Sequence, residues 1–142
     1  MLSPSLEDYL EEIYRFSIQQ STVRVIDIGR RLNVAMPSVT KALRKLKAQD
    51  YITYKRYGLI YLTAKGQETG CFLVTRNQII QDFLTMLSVD CNVAAEAEAI
   101  EHYLSPSTIE TLEHTVMFFR ENSDLQIKLQ NFLENSRSKQ DK

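Results

Sequence analysis

The chain has 142 residues, of which 44% are hydrophobic, and a formal net charge of −1. This length suits one compact domain or two small ones, and the hydrophobic content is ordinary for a globular protein. No apolar stretch approaches the roughly 20 residues that a membrane-spanning helix needs, and the first residues lack the hydrophobic core of a signal peptide. The sequence therefore predicts a cytoplasmic protein with no membrane partner.

The small net charge hides two halves of opposite sign. Residues 1–66 contain 11 Lys and Arg against 6 Asp and Glu, whereas residues 67–142 contain 6 against 12. A basic segment is typical of a nucleic-acid-binding surface. An acidic segment suits cation binding, although a merely solvated acidic surface has the same composition. Cys71 and Cys91 match no zinc or redox spacing and are expected to be free thiols.

The first half of the chain predicts a winged helix-turn-helix. A first helix, capped by Ser3 or Ser5, carries an apolar stripe that ends near Ile18. It is followed by a short β-branched run at 23–25, a second helix from about Asp27, a turn at 33–35 and a third helix that begins with Pro37. The run 51–62 is rich in aromatic and β-branched residues and has Gly58 at its turn, which predicts a β-hairpin.

The second half predicts helices only. In chain order they are a long helix capped by Thr63 and ending near 87, a helix at about 91–104, a helix from Ser105 to about Arg120, and a last helix at 124–135 before a frayed tail. The fold class is therefore mainly α, with an N-terminal winged helix-turn-helix and a small β-hairpin wing, followed by a helical domain. We place the two domains at 1–66 and 67–142, with a linker helix at about 64–87.

The third helix and the hairpin supply the residues that we expect to contact DNA. In this fold the third helix enters the major groove, and its start and exposed face offer Pro37, Ser38, Thr40, Lys41, Arg44 and Lys45. Lys and Arg bind guanine edges or phosphates. Lys55, Arg56 and Tyr57 lie at the wing tip. A basic helix face alone is usually a solvated surface, but its coincidence with helix-turn-helix spacing favours DNA binding.

Two clusters of carboxylates lie outside this module. Asp8 and Glu11 are three residues apart on the first helix, and Glu98, Glu101 and His102 share one face if their segment is helical. Oxygen donors with one imidazole are the ligands of manganese- and iron-type sites. The alternative is that both clusters are solvated helix faces, with Asp8 and Glu11 interacting favourably with a helix N-terminus.

Two motifs give these clusters a family context. The segments Pro4-Ser-Leu-Glu-Asp-Tyr-Leu-Glu-Glu-Ile-Tyr14 and Ala99-Ile-Glu-His-Tyr-Leu-Ser105 resemble the diphtheria-toxin-repressor family, and most closely its manganese transport regulators. The resemblance extends over nearly the whole chain, including Pro37-Ser-Val-Thr-Lys41 and Leu62-Thr-Ala-Lys-Gly66. It implies a homodimer, with the C-terminal helices as the dimerisation domain, that binds metal and represses metal-uptake genes at a double-stranded DNA operator, expected to be palindromic.

The resemblance also implies a ligand set. The family's metal ligands match Asp8, Glu11, Glu98, Glu101 and His102 in this sequence. The iron-responsive branch has Met in place of Asp8 and Cys in place of Glu98, and both changes exchange soft sulfur for hard oxygen. That chemistry favours Mn²⁺, with Fe²⁺ or another divalent cation as the alternative.

Position 77 departs from the family pattern. The manganese branch has a His where this chain has Asn77, and a neutral amide is a poorer donor to transition metals than an imidazole. Either Asn77 binds the metal through its amide oxygen, or a water molecule takes its place as a ligand, or one site of a binuclear pair is weakened. The four carboxylates still carry enough negative charge to balance two divalent ions. The sequence therefore does not decide between one and two ions per subunit.

The expected mechanism is a clamp. Without metal the acidic groups repel one another. A bound cation would restrict the two DNA-binding domains of a dimer to the spacing of an operator, because the cation binds the DNA-competent state better than the other states. Two other classes stay open. One is a metal-independent winged-helix regulator. The other is a carboxylate-bridged metalloenzyme, which the single Glu-x-x-His motif disfavours.

Overall fold

The structure, a computed structural model, describes residues 2–20 and 22–141, with the backbone but not the side chain of Arg56. It divides into two compact units, Met1–Thr75 and Arg76–Lys142. Among the described residues, no helix is both long and apolar enough to cross a lipid bilayer. Each unit has its own cluster of buried apolar side chains.

The first unit is a three-helix module with a small antiparallel sheet. Its elements in chain order are α1 (Pro4–Gln19), β1 (Val23–Arg24), α2 (Val25–Leu32), α3 (Met36–Ala48), β2 (Ile52–Lys55) and β3 (Leu59–Leu62). The sheet order is β1-β3-β2, with Val23 opposite Ile60 and Thr53 opposite Tyr61. The expected winged helix-turn-helix is thereby confirmed. One detail differs, because Val25 begins α2 rather than extending the strand.

Local signals explain where these helices begin and end. The Ser3 hydroxyl accepts a hydrogen bond from the Leu6 N–H at 3.3 Å, which caps α1. The Asp27 carboxylate accepts the Arg24 N–H and thereby fixes the first turn of α2. Asn33 adopts a left-handed conformation (φ 53°) at the end of α2, which short polar side chains tolerate. The turn between α2 and α3 is therefore determined locally.

The core of the first unit lies where α1, α2 and α3 meet the sheet. Its fully buried side chains are Leu10, Ile13, Ile28, Val39, Leu43, Leu46 and Ile52. Burying one such side chain contributes roughly 1.5–3 kcal/mol. The apolar stripe of α1 ends earlier than expected, since Ile18 is 64% exposed.

The hairpin turn uses two consecutive residues of positive φ. After β2, a turn at Arg56–Gly58 contains Tyr57 (φ 67°) and Gly58 (φ 70°) before β3 begins. A Tyr in this region is strained, whereas Gly adopts it at no steric cost. The Tyr57 side chain is 93% exposed at the tip of the wing.

The long helix α4 (Ala64–Met86) runs across the boundary between the units, which falls after Thr75. The Thr63 hydroxyl accepts the Gly66 N–H at 3.0 Å, so Thr63 caps α4 as expected. Two glycines let α4 lie against its neighbours in the first unit. A Cβ at Gly66 would overlap the Tyr51 carbonyl oxygen, and one at Gly70 would lie 2.7 Å from the Tyr14 Cβ.

The second unit contains the rest of α4, α5 (Val93–Ile100), a 3-10 turn at Glu101–Tyr103, α6 (Pro106–Glu121) and α7 (Ser123–Gln140). Its core is formed by Ile79, Ile80, Ala97 and Ile109. Two expectations were wrong in detail. The helix expected at 91–104 ends at Ile100, and the last helix continues to Gln140 rather than fraying after 135.

Candidate functional site

The exposed face of α3 carries the side chains expected to read DNA. Pro37, Ser38, Thr40, Lys41, Arg44 and Lys45 are all exposed, whereas Val39, Ala42, Leu43 and Leu46 on the opposite face are buried. This division leaves one basic and polar helix face open to a ligand. The Thr40 hydroxyl donates to the Met36 carbonyl at 3.0 Å, so its oxygen is left to accept.

The wing presents a second basic surface in the same unit. The Lys55 ammonium lies 4.9 Å from the centre of the Tyr61 ring, and Lys47 lies 5.5 Å from that of Tyr54. Such cation–π contacts hold a flexible lysine in place while its charge stays accessible. Tyr57 is exposed in the turn between the two strands, and the side chain of Arg56 lies outside the described residues.

A groove beside α3 adds hydrogen-bond donors that the sequence did not reveal. It is lined by Ser5 and Tyr9 of α1 together with Lys41 and Lys45 of α3. Burial raises the pKa of the Tyr9 hydroxyl above its ordinary value, so this group is a neutral donor at physiological pH. Only packing of α1 against α3 brings these side chains together, because they are more than 30 residues apart in sequence.

The first acidic cluster lies on α1. Asp8 is half-buried, and Glu11 is only 7% exposed. The Glu11 carboxylate accepts a hydrogen bond from the Arg15 guanidinium at 2.8 Å, one helical turn later. A cation that binds Glu11 must therefore compete with Arg15 for this oxygen.

The neighbouring Glu12 has a different environment. Its carboxylate lies 3.4 Å from the Arg31 guanidinium of α2. Burial raises the pKa of Glu12, and Arg31 and Arg15 lower it by a smaller amount. Glu12 is thus paired with arginines in the first unit.

In the second unit the central acidic residue is Glu101, whose side chain is fully buried. An ionised carboxylate in such a position needs hydrogen-bond donors or a cation to offset lost hydration. Asn77, itself buried, donates its Nδ2–H to the Glu101 Oε2 at 2.9 Å. Asn77 is 24 residues earlier, on α4, so the contact depends on the packing of this unit.

The orientation of the Asn77 amide is set by the Glu101 carboxylate and matched by Gln81. An ionised carboxylate only accepts hydrogen bonds, so the amide nitrogen of Asn77 must face Glu101. The amide oxygen then points to Gln81, whose Nε2–H donates to it at 2.6 Å. Gln81 was not among the site residues expected from the sequence, although its spacing of four residues from Asn77 on a helix was a usable signal.

The imidazole of His102 lies next to Glu101. Its Nε2 is 3.7 Å from the Glu101 Oε1, and its Nδ1 is 3.4 Å from an amino nitrogen of Arg76, a buried residue of α4. Two ligand atoms that are each about 2.1 Å from one ion stand about 3–4 Å apart. Glu101 and His102 therefore have a separation suited to binding the same cation.

Glu98 is placed differently from Glu101. It is exposed on α5, whereas Glu101 follows the end of that helix at Ile100. The expectation that one continuous α-helix holds Glu98, Glu101 and His102 was wrong, because Glu101 and His102 belong to a 3-10 turn. In that tighter winding, residues three apart are eclipsed rather than staggered.

The donors within the second unit fit a divalent cation. Glu101 supplies carboxylate oxygen, His102 supplies imidazole nitrogen, and exposed Glu98 can supply further carboxylate oxygen. Such a set suits Mn²⁺ or Fe²⁺ better than soft cations. No cysteine lies among these residues, which disfavours the thiolate sites typical of structural zinc.

Family models match both parts of the chain. Residues 1–59 match the N-terminal DNA binding domain of the iron dependent repressors, and residues 63–130 match their metal binding and dimerisation domain. The two matches together agree with a basic reading helix in the first unit and metal-type donors in the second.

Curated relatives match the chain over most of its length. The HTH-type transcriptional regulator MntR of Shouchella clausii is 41% identical over 123 residues, which cover 86% of each chain. The MntR of Bacillus pumilus is 37% identical over 130 residues, covering 91% of this chain and 90% of the relative.

Solved structures share the fold. The metal-dependent transcriptional regulator MtsR superposes with a TM-score of 0.74 at 27% identity, and the manganese regulator SloR with 0.70 at 28%. Each match covers 82% of this chain, which spans 55% of the length of either structure. With curated relatives matched over most of their length, these findings show that the chain belongs to the diphtheria-toxin-repressor family, in its manganese transport regulator branch, and is a metal-dependent transcriptional regulator rather than an enzyme.

Proposed function

We propose that this protein is a Mn²⁺-activated repressor of metal-uptake genes that binds a palindromic operator as a homodimer. The observation that carries the proposal is the buried Glu101 carboxylate beside His102. A chain that needed these residues only for packing would be expected to have apolar side chains there, since burying charge is costly. The relatives named as manganese regulators support the choice of metal.

We propose Asp8, Glu11, Glu98, Glu101 and His102 as the metal ligands. The support is their match to the family motifs and the hard-oxygen chemistry of four carboxylates. When bound, a divalent ion would supply positive charge that offsets the repulsion among these groups. Binding couples to DNA affinity if the ion prefers the DNA-competent state, and the coupling is reciprocal.

The DNA-contacting residues proposed here are the exposed set on α3 and the wing. We assign base contacts to Thr40, Lys41 and Arg44, and phosphate contacts to Lys45 and Lys55 with Tyr57. Pro37, Ser38 and Arg56 are included among the proposed DNA contacts because they lie in the segments that match the family in sequence. Because the partner is DNA, we place the protein in the cytoplasm.

The homodimer is supported by apolar side chains on α6 and α7. Several large ones are exposed within the second unit: Met117, Phe118, Leu125, Ile127 and Phe132. Exposed apolar groups of this number are typical of a surface that a partner covers. Of the other residues expected in core or dimer contacts, Val116 is buried, and Phe119, Leu129 and Leu133 are half-buried. A two-fold dimer presents two reading helices in a symmetric arrangement, which suits a palindromic operator.

The decisive experiment is operator binding with and without Mn²⁺. A duplex selected by the protein from a random pool in Mn²⁺ provides the probe, and fluorescence anisotropy gives the affinity. We expect Mn²⁺ to tighten binding of the wild type by roughly 5–150-fold, the usual range of allosteric coupling, and to leave Glu101→Gln at its metal-free affinity. Equal affinity in all four conditions would contradict metal activation and favour the metal-independent regulator.

A further inference from the structure

We propose that Asn77 and Gln81 form a positioning pair that orients Glu101 and stays outside the metal coordination sphere, so that each subunit takes a single divalent ion. This inference rests on the proposed metal-binding function and specifies the role of position 77. All of the contacts that carry it lie within the second unit.

The first step is the direction of the hydrogen bonds. Glu101 accepts from Asn77 at 2.9 Å, and Asn77 accepts from Gln81 at 2.6 Å. Reversing the Asn77 amide would set its oxygen against the Glu101 carboxylate and its nitrogen against the Gln81 N–H groups. The contact with the Glu101 carboxylate would be repulsive whichever way Gln81 turns, so Glu101 sets the orientation and Gln81 supplies the matching donor.

The second step concerns which atoms remain for a cation. The amide oxygen of Asn77 is its only atom suited to a hard metal ion, and it is turned toward Gln81, from which it accepts a hydrogen bond. The group that Asn77 turns toward Glu101 is an N–H donor, which repels a cation. Asn77 therefore acts on the metal through Glu101 rather than by direct coordination, as hydrogen-bond partners of ligands commonly do.

The third step concerns the number of ions. Because the Oε2 of Glu101 is bound by Asn77, the carboxylate presents chiefly Oε1 toward His102. A second ion beside the Oε2 of Glu101 would face the N–H of Asn77 rather than a ligand atom at position 77. The position that would complete a second site therefore presents a donor group, and we expect one ion per subunit.

The test compares Gln81→Met with Gln78→Met by Mn²⁺ titration, with calorimetry for affinity and electron paramagnetic resonance for the state of the bound ion. Gln78 is a matched control, since it is an exposed glutamine on the same helix whose side chain donates to Asp82. We expect one ion per subunit and an uncoupled six-line manganese spectrum for all three proteins. Gln81→Met should bind Mn²⁺ several-fold more weakly and Gln78→Met like the wild type.

The sign of the Gln81→Met effect separates the two roles of Asn77. If the Asn77 oxygen were a ligand, removing its competing donor would strengthen binding or add an ion, and either result overturns the inference. Asn77→Leu should weaken binding by roughly 10–100-fold while keeping one ion, and Asn77→His should raise the count to two with a spin-coupled spectrum. Circular dichroism of the metal-free variants checks that each one folds.

Failure of this inference differs from failure of the proposed function. Two ions per wild-type subunit, together with Mn²⁺-activated DNA binding, would overturn the single-ion inference and leave the proposed function standing. A wild type that binds no Mn²⁺, and whose DNA affinity ignores it, would overturn both.

Discussion

At the scale of single residues, the proposed ligands are held by hydrogen-bond donors of their own unit. Glu101 accepts from Asn77, and Glu11 accepts from Arg15. A neutral amide orients a carboxylate without cancelling its charge, whereas a guanidinium also supplies a competing positive charge. The two contacts are therefore expected to affect metal affinity in opposite directions.

Replacing Arg15 tests this difference. Arg15→Gln removes the cation that competes for Glu11, so we expect Mn²⁺ affinity to rise by roughly two- to fivefold, since a partly exposed ion pair contributes up to about 1 kcal/mol. Arg31→Gln is the matched control, because it removes the same charge but pairs with Glu12, which is no proposed ligand. Competition with a fluorescent chelator measures both. A rise shared equally by the two variants would indicate a general charge effect instead.

At the scale of secondary-structure elements, close packing of α4 in the first unit depends on residues without a Cβ. The helix begins beside the Tyr51 carbonyl, and only Gly66 leaves room for that oxygen. Thr63 reinforces the same corner, because its hydroxyl donates to the Asp50 carbonyl at 2.6 Å while it caps α4. The start of α4 is thus fixed to the loop before β2.

Alanine scanning of two glycines checks this packing. Gly66→Ala should lower the free energy of unfolding by roughly 1–3 kcal/mol, because backbone must move to admit the methyl group. Gly29→Ala should be near neutral, since the closest atom to its Cβ would be the flexible Met36 Sδ at 3.3 Å, with Val39 and Val34 atoms at 3.4 and 3.5 Å in ordinary contact, and the substitution gains roughly 0.5–1 kcal/mol of helix propensity. Urea denaturation followed by circular dichroism gives both values. Equal stability of the two variants would refute the close approach.

At the scale of the whole molecule, charge is segregated along the chain. The basic half contains the reading helix and wing, and the acidic half contains three of the five proposed ligands. Phosphate neutralisation releases counterions, so the DNA affinity of such a protein falls steeply with salt. The acidic half carries negative charge, which attracts cations and repels the phosphates of DNA.

The salt dependence of operator binding tests the assignment of Lys45 to phosphate. Lys45→Ala should reduce the slope of log affinity against log salt by about 1 and weaken binding to all sequences alike. Lys128→Ala, an exposed lysine of the acidic half, should leave the slope unchanged. Anisotropy titrations at several salt concentrations measure the slope. If the two variants have equal slopes, Lys45 does not contact phosphate.

The sequence alone was sufficient for features that depend on near neighbours. Apolar periodicity and capping residues such as Ser3 and Thr63 located the helices, and the β-branched run with Gly58 located the wing. The family motifs identified the regulator and its candidate ligands. These signals are legible because helix caps, turns and amphipathic faces depend on residues within a few positions of each other.

Tertiary structure decided which chemistry those residues can perform. Glu101 is buried, whereas Glu98 is exposed on α5, which ends at Ile100. Asn77 has two hydrogen-bond partners, Glu101 and Gln81, that together define the orientation of its amide. From the sequence alone Asn77 could be a metal ligand or a residue outside the coordination sphere, because an amide carries both a donor and an acceptor. Only a carboxylate 24 residues away, brought close by packing, determines which of the two is used.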